Sequence, residues 1–384
     1  MRAIPAALLN GFPTFNDPTF WSTFSPGKFG PAVLPFLAAL VATAIAVVPA
    51  RWLAFRIGAV ATPGNGDRHI HREPTARLGG LAMYIGFGLS AALFSTNQKT
   101  LGLLLAAAAI TTLMVFDDLR GMSPLMKLAS QVAVSLLAIW IFGFEIPRVA
   151  LPTGHVIELG WLAVPISLLW FVGLQNTINL IDGVDGLAAG VVAIVAGAIM
   201  LAAISKGKND IVILSGALVG ACGGFLLFNW HPARVFMGDA GSHFLGFTLA
   251  ALSVLSIAKG AVVLALTVPV VALAIPILDT GWAILRRRLR GRSIASADAE
   301  HLHHRLLDFG LSPPETALVF YFGTAIFAAF GLSVYGHRKV LLGAILLMLL
   351  GIGIIMVRRF RRARVADQLG PSDRVTQSGA DEPG

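Results

Sequence analysis

The sequence predicts an all-α, polytopic integral membrane bundle of about eleven transmembrane helices. Three observations carry that prediction. Of the 384 residues, 56% are hydrophobic and only 13% charged, with a mean hydropathy of +0.78; a soluble domain carries roughly a quarter charged residues. Apolar runs of about 20 residues recur along the whole length, enough helix to cross roughly 30 Å of hydrocarbon. Lys and Arg gather in alternate connections, the asymmetry expected of a threaded membrane chain.

The elements follow in order. Residues 1–30 lack a basic stretch followed by a compact apolar core, so they are not a cleavable signal. They read as a periplasmic or interfacial lead-in, with Trp21 and several Phe at headgroup depth. The membrane domain, 31–357, has expected spans at about 31–50, 79–96, 100–116, 124–143, 160–176, 187–204, 210–228, 243–258, 261–285, 315–335 and 340–357. Pro269 and Pro276 predict a kink or break in the ninth. Alternating Val149, Leu151, Val156 and Ile157 predict a small outer hairpin over 147–160. The basic segment at 358–384 reads as a disordered tail. No internal repeat is visible, which argues against an inverted-repeat transporter.

Net charge is +9, from 29 Lys and Arg against 20 Asp and Glu. In a membrane chain this is loop charge obeying the positive-inside rule, not a nucleic-acid footprint. Cys222 lies in an apolar run and reads as a small buried hydrophobe. Placing the connections 51–78, 117–123, 177–186, 229–242 and 286–314 and the tail on one side collects most of the basic residues there. That side is the cytoplasm, with the N-terminus outside and the C-terminus inside.

One coincidence points to chemistry. Asp117 and Asp118, Asp182 and Asp185, and Asp239 occupy three connections, each separated from the next by two spans. An even number of crossings returns all five carboxylates to one membrane face. Arg77, Lys127, Arg234 and six cations between Arg286 and Arg305 frame them. Polar groups this dense between apolar runs must meet water, an ion or a ligand, and the acids with Asn176 and Asn179 offer hard oxygen donors for Mg²⁺.

Each motif adds a part. In FDDLRG, repulsion between Asp117 and Asp118 equips one of them as a proton acceptor, though the pair also suits a Lys or a cation. The stretch NTINLIDGVDG is the floor of the site, its glycines letting backbone approach a ligand. In FMGDAGS, Asp239 sits among small residues; Phe236 either stacks a flat base or anchors the connection in the bilayer. HLHHRLL groups His301, His303 and His304 with Arg305, which suits an anionic, hydrogen-bonding substrate better than zinc. Asp279, inside the ninth span, is either functional or paired with Arg286.

DRHIHREPTARLGG, DDLRG, NTINLIDGVDG, FMGDAGS and HLHHRLL, in this order, resemble the polyprenyl-phosphate N-acetylhexosamine-1-phosphate transferases, the membrane group containing WecA, TagO and MraY. The resemblance covers roughly 31–357 and looks like the WecA/TagO branch, to which the HLHHRLL run and the Pro-Thr-x-Arg-Leu-Gly-Gly run point. The run at 68–73 departs from the more basic run of many relatives, so no role is assigned to His69 or Glu73.

The resemblance implies Mg²⁺, or Mn²⁺ in its place, held by Asp239 and Asn179. It implies a uridine pocket of Gly183, Val184, Asp185 and the Phe236 ring, and catalytic roles for Asp117, Asp118 and Asp182 with Lys127 near the phosphates. His301, His303, His304 and Arg305 would contact sugar and pyrophosphate, with Asn176 and Arg77 as further substrate contacts. The implied partners are a UDP-N-acetylhexosamine, a polyprenyl phosphate, the bilayer and a second copy in a homodimer. The implied place is a bacterial cytoplasmic membrane, with the site facing the cytoplasm. The expected reaction moves GlcNAc-1-phosphate from UDP-GlcNAc to undecaprenyl phosphate, releasing UMP and starting a cell-surface polysaccharide. Another UDP-sugar or UDP-MurNAc-pentapeptide is the rival donor; a transporter is the rival class.

Overall fold

In the computed structural model, residues 26–61, 74–150, 156–257 and 302–333 are described, with scattered positions at 273–278 and 340–356. The chain runs through α1 (Pro26–Ile57), β1 (Val60–Ala61), β2 (Thr75–Ala76), α2 (Gly79–Phe94), α3 (Thr100–Arg120) and α4 (Pro124–Trp140). It continues through β3 (Arg148–Ala150), β4 (Val156–Glu158), α5 (Ala163–Ile181), α6 (Leu187–Ser205), α7 (Asn209–Asn229), α8 (Gly238–Ile257), α9 (Leu302–Asp308) and α10 (Pro313–Ser333). Among the described residues, α1, α3, α5 with the turn before it, α6, α7 and α10 are long and apolar enough to cross a bilayer. The architecture is a polytopic membrane helix bundle.

The expected spans fall on α1 to α8 and on α10, but several ends move. α1 starts at Pro26 and keeps Pro31, Pro35 and Pro49 inside it; neighbouring helices let membrane helices absorb such prolines. α3 runs on through Asp117 and Asp118, α5 runs to Ile181, and α8 already begins at Gly238. The residues expected in loops at 117–118, 177–181 and 238–242 are therefore helical, because their polar side chains find partners across the bundle. The expected spans at 261–285 and 340–357, Asp279 and the tail lie largely outside the described residues. The expected hairpin is present: β3 pairs antiparallel with β4, Val149 opposite Ile157.

α8 is the axis of the bundle, packed against α2, α3, α5, α6 and α7. Phe244, Leu245, Phe247 and Leu249 are fully buried. Phe87 meets Phe244 at 5.7 Å between ring centroids, and Phe171 meets Phe247 at 4.9 Å. Where α2 and α8 cross, a Cβ at Gly80 would collide with the backbone of Gly241. Small residues at such crossings let membrane helices approach closely. α1 lies at the rim against α2 and α7, with Leu34, Ile45 and Val48 exposed on the face a bilayer would cover.

Candidate active site

The turn between α3 and α4 makes the first part of the site. Gly121, with φ 69°, ends α3 and returns its N–H to the Asp117 carbonyl at 2.8 Å. Ser123 then caps α4, its Oγ accepting from the Met126 N–H at 3.3 Å, with Pro124 in the first helical position. The tight turn places Lys127 beside the last turn of α3. Buried Asp117 accepts from the Met122 N–H through Oδ1 at 2.6 Å and meets Lys127 Nζ through Oδ2 at 2.7 Å. The same ammonium donates to Asp239 Oδ2.

Asp239 belongs to the first turn of α8, and the neighbour of Asp117 holds that turn. Asp118 Oδ1 accepts from the Asp239 N–H at 2.9 Å, and Oδ2 accepts from the Ala240 N–H at 3.0 Å. A carboxylate from another helix thus closes the electropositive N-terminus of α8. Gly238 has φ 68°, and a Cβ there would meet Arg77 O and Asp118 Oδ2. Only glycine fits that backbone and that contact.

α5 delivers the amides. Asn179 Nδ2 donates to Asp239 Oδ1 at 2.8 Å and to Ser242 Oγ at 3.0 Å. One turn earlier, Asn176 Nδ2 donates to Gln131 Oε1 at 2.6 Å, and Gln131 Nε2 lies 2.9 Å from His243 Nε2. His243 Nδ1 sits 2.8 Å from the Asp239 carbonyl. A buried polar network therefore links α4, α5 and α8 behind the acids.

The 183–186 connection is pinned to the segment before α8. Asn229, buried at the end of α7, accepts from the Gly186 N–H at 2.9 Å and donates to the Val235 carbonyl at 2.9 Å. Asp185 Oδ2 lies 2.7 Å from His231 Nδ1 and accepts from the Ala233 N–H at 3.0 Å. The Tyr321 hydroxyl donates to the Gly186 carbonyl at 2.6 Å. Val184 is buried, Gly183 exposed and Phe236 half-buried. The Phe236 backbone pairs with Ala76 and Gly79, tying it to the start of α2.

Among the sequence-derived candidates, Asp117, Asp118, Lys127, Asn179 and Asp239 are joined by direct bonds. Asp182 caps the end of α5, and the charges of Asp239, Asp118 and Asp185 act on it. Burial, and then those three charges, push its carboxyl well above the ordinary range; Arg77 opposes them. Asn176 joins through Gln131, and Asp185 faces the neighbouring connection. Arg305 is exposed on α9; His301 and the His303 and His304 side chains lie outside the described residues. Gln131, Asn229, His231, His243 and Tyr321 enter from the structure alone, having no spacing signal in the sequence.

The donor chemistry suits a hard cation. Among the described residues, no group of three or more His, Cys, Asp or Glu could hold a metal alone. Mg²⁺ characteristically takes one or two carboxylates and completes its shell with water and substrate phosphates. Asp239 fits that pattern, and so does Asn179, whose carbonyl oxygen is its only ligand atom. The Lys127 ammonium between Asp117 and Asp239 shows that the pocket already favours positive charge.

Comparison with known proteins adds a family. Residues 100–257 match the family model described as glycosyl transferase family 4. A "probable undecaprenyl-phosphate N-acetylglucosaminyl 1-phosphate transferase" of Bacillus subtilis (strain 168) is 38% identical over 299 residues, covering 77% of this chain and 83% of the relative. The "decaprenyl-phosphate N-acetylglucosaminephosphotransferase" of Mycobacterium tuberculosis (strain ATCC 25618 / H37Rv) is 36% identical over 363 residues, covering 84% and 88%. A "phospho-N-acetylmuramoyl-pentapeptide-transferase" of Moorella thermoacetica is 32% identical over 317 residues, covering 78% and 96%.

Proposed function

The chain belongs to the polyprenyl-phosphate N-acetylhexosamine-1-phosphate transferases of glycosyl transferase family 4, and on that premise we propose that it transfers GlcNAc-1-phosphate from UDP-GlcNAc to an undecaprenyl-type phosphate. UMP leaves, and a lipid-linked sugar pyrophosphate forms at the cytoplasmic face. The observation that carries this reading is the meeting of Asp117, Lys127, Asn179 and Asp239 at the ends of four helices.

Both reactants are anions, so alignment and neutralisation of charge dominate the task. Asp117 accepts the proton of the lipid phosphate, whose oxygen attacks the β-phosphorus; the bond from that phosphorus to the bridging oxygen breaks, and its electron pair leaves with UMP. Lys127 balances the acids and orients phosphate oxygens. Asp239 and Asn179 would hold Mg²⁺, which when bound neutralises the pyrophosphate and the departing UMP. Asp118 fixes the first turn of α8 and with it Asp239. With both oxygens of Asp118 engaged by backbone N–H groups, direct transfer is favoured over an adduct on that residue.

The N-acetylglucosaminyl relatives, at 38% and 36% identity, favour GlcNAc as the sugar. The Moorella relative keeps a muramoyl-pentapeptide donor as the second reading. Turnover of a panel of UDP-sugars by the purified protein tests the donor. UDP-GlcNAc is expected to give the highest kcat/KM; exclusive turnover of UDP-MurNAc-pentapeptide would replace it.

A further inference from the structure

We infer that the cavity between α1 and the segment following α7 binds the phosphate headgroup of an anionic bilayer lipid. In α1 the charge-free stretch 29–50 is about 33 Å long at 1.5 Å per residue, close to the thickness of a hydrocarbon core. Arg51 follows it at once, so its guanidinium lies where hydrocarbon gives way to headgroups. A cavity of about 480 Å³ opens there, lined by Val47, Arg51, Trp52 and Phe55 of α1, Phe228 of α7 and Arg234 beyond it.

Among the described residues, the lining holds two guanidiniums and no acid. Neither Arg51 nor Arg234 forms an ion pair with a described residue. The Arg51 guanidinium lies 5.8 Å from the Phe55 ring centroid, and that of Arg56 lies 4.2 Å from Trp52. Arg234 leaves a fixed backbone: its N–H donates to the Phe228 carbonyl at 2.8 Å, and the Ala233 N–H is held by Asp185.

Guanidiniums match phosphate oxygens in a fork, and basic pockets between membrane helices at the bilayer surface suit anionic headgroups. The apolar wall of Val47 and Trp52 gives an acyl chain a path, which a soluble phosphate would not use. Among the described residues, none of the lining side chains bonds to Asp117, Lys127, Asn179 or Asp239, which sets this cavity apart from the acid cluster and favours a resident lipid over the acceptor. The lipid joins α1 to the segment that leads into Phe236 and Asp239.

The test uses the full-length protein in bilayer nanodiscs and Trp52 as its probe, isolated by subtracting the emission of Trp52→Phe. Phosphatidylglycerol with brominated acyl chains is expected to quench Trp52 on the order of tenfold more effectively than brominated phosphatidylcholine, from two basic contacts. Arg51→Gln with Arg234→Gln should erase the preference, and Lys at both positions should keep most of it. Equal quenching by the two lipids, or an unchanged preference in the Gln pair, would overturn the site. Displacement by millimolar inorganic phosphate would make it a soluble-anion site. Displacement by a short-chain prenyl phosphate would make it an acceptor site. Either result would overturn the resident lipid.

Discussion

Asp118 closes the N-terminus of the helix that carries Asp239, with Oδ1 on the Asp239 N–H at 2.9 Å and Oδ2 on the Ala240 N–H at 3.0 Å. The two neighbours of the DD pair therefore do different work. Asp117 points at Lys127, while Asp118 holds the backbone of the turn that carries Asp239.

Asp118→Ala should lower stability by about 1–2 kcal/mol, the usual cost of a lost helix cap. It should also raise the Mg²⁺ concentration needed for half-maximal rate. Asp117→Asn, by contrast, should abolish turnover with little change in the melting temperature. Thermal unfolding and a Mg²⁺ titration of both variants check this; equal metal affinity in Asp118→Ala and wild type would remove the positioning role.

Lys127 holds the place that a cation beside Asp239 would share. Lys127→Met should cut kcat by roughly 10²–10³, the scale of a lost electrostatic contact in a site. The same change should tighten Mg²⁺ binding, because the competing ammonium is gone. Isothermal titration with Mg²⁺ separates the two effects, and weaker binding in Lys127→Met would contradict the competition.

Asn229 fastens two connections, and its loss strands the Gly186 N–H and the Val235 carbonyl. Each unsatisfied buried group costs about 1–3 kcal/mol, so Asn229→Ala should destabilise the protein markedly. At a temperature where the variant stays folded, the KM for the nucleotide sugar should rise more than kcat falls. A fall in kcat alone, measured by steady-state kinetics, would detach Asn229 from the donor pocket.

Asp182 sets a pH dependence. Its folded carboxyl titrates well above its unfolded value of about 4. The native state therefore binds the extra proton between those two values, and stability falls as pH rises through that window. In EDTA, wild type should lose stability as pH rises above the ordinary carboxylate range, and Asp182→Asn should lose less. Parallel melting curves for the two proteins would rule out Asp182 as the source.

Much of this was legible in the sequence because hydrophobic run length and charge placement are local signals. The runs that became α1 to α8 and α10 declare themselves, and three acidic connections on one face follow from counting crossings. What the sequence hid was where the helices end. Asn179 and Asp239 read as loop residues until Ser242 and Lys127 are seen to satisfy them from other helices. The division of labour between Asp117 and Asp118 was hidden for the same reason, since the partners of Asp118 lie 121 and 122 residues away. Asn229 and His243 carried no spacing signal of their own: their partners, Gly186 and Gln131, lie 43 and 112 residues away.

The Asp117–Lys127–Asp239–Asn179 cluster is expected to drive a cation-dependent phosphosugar transfer. The direct measurement is UMP release by the purified protein supplied with polyprenyl phosphate, UDP-GlcNAc and Mg²⁺. UMP and a lipid-linked GlcNAc pyrophosphate should appear in equal amounts, and both should vanish with EDTA or in Asp239→Ala. Wild-type rates in Asp239→Ala, or undiminished UMP release in EDTA, would rule out a cation-dependent transfer at this cluster.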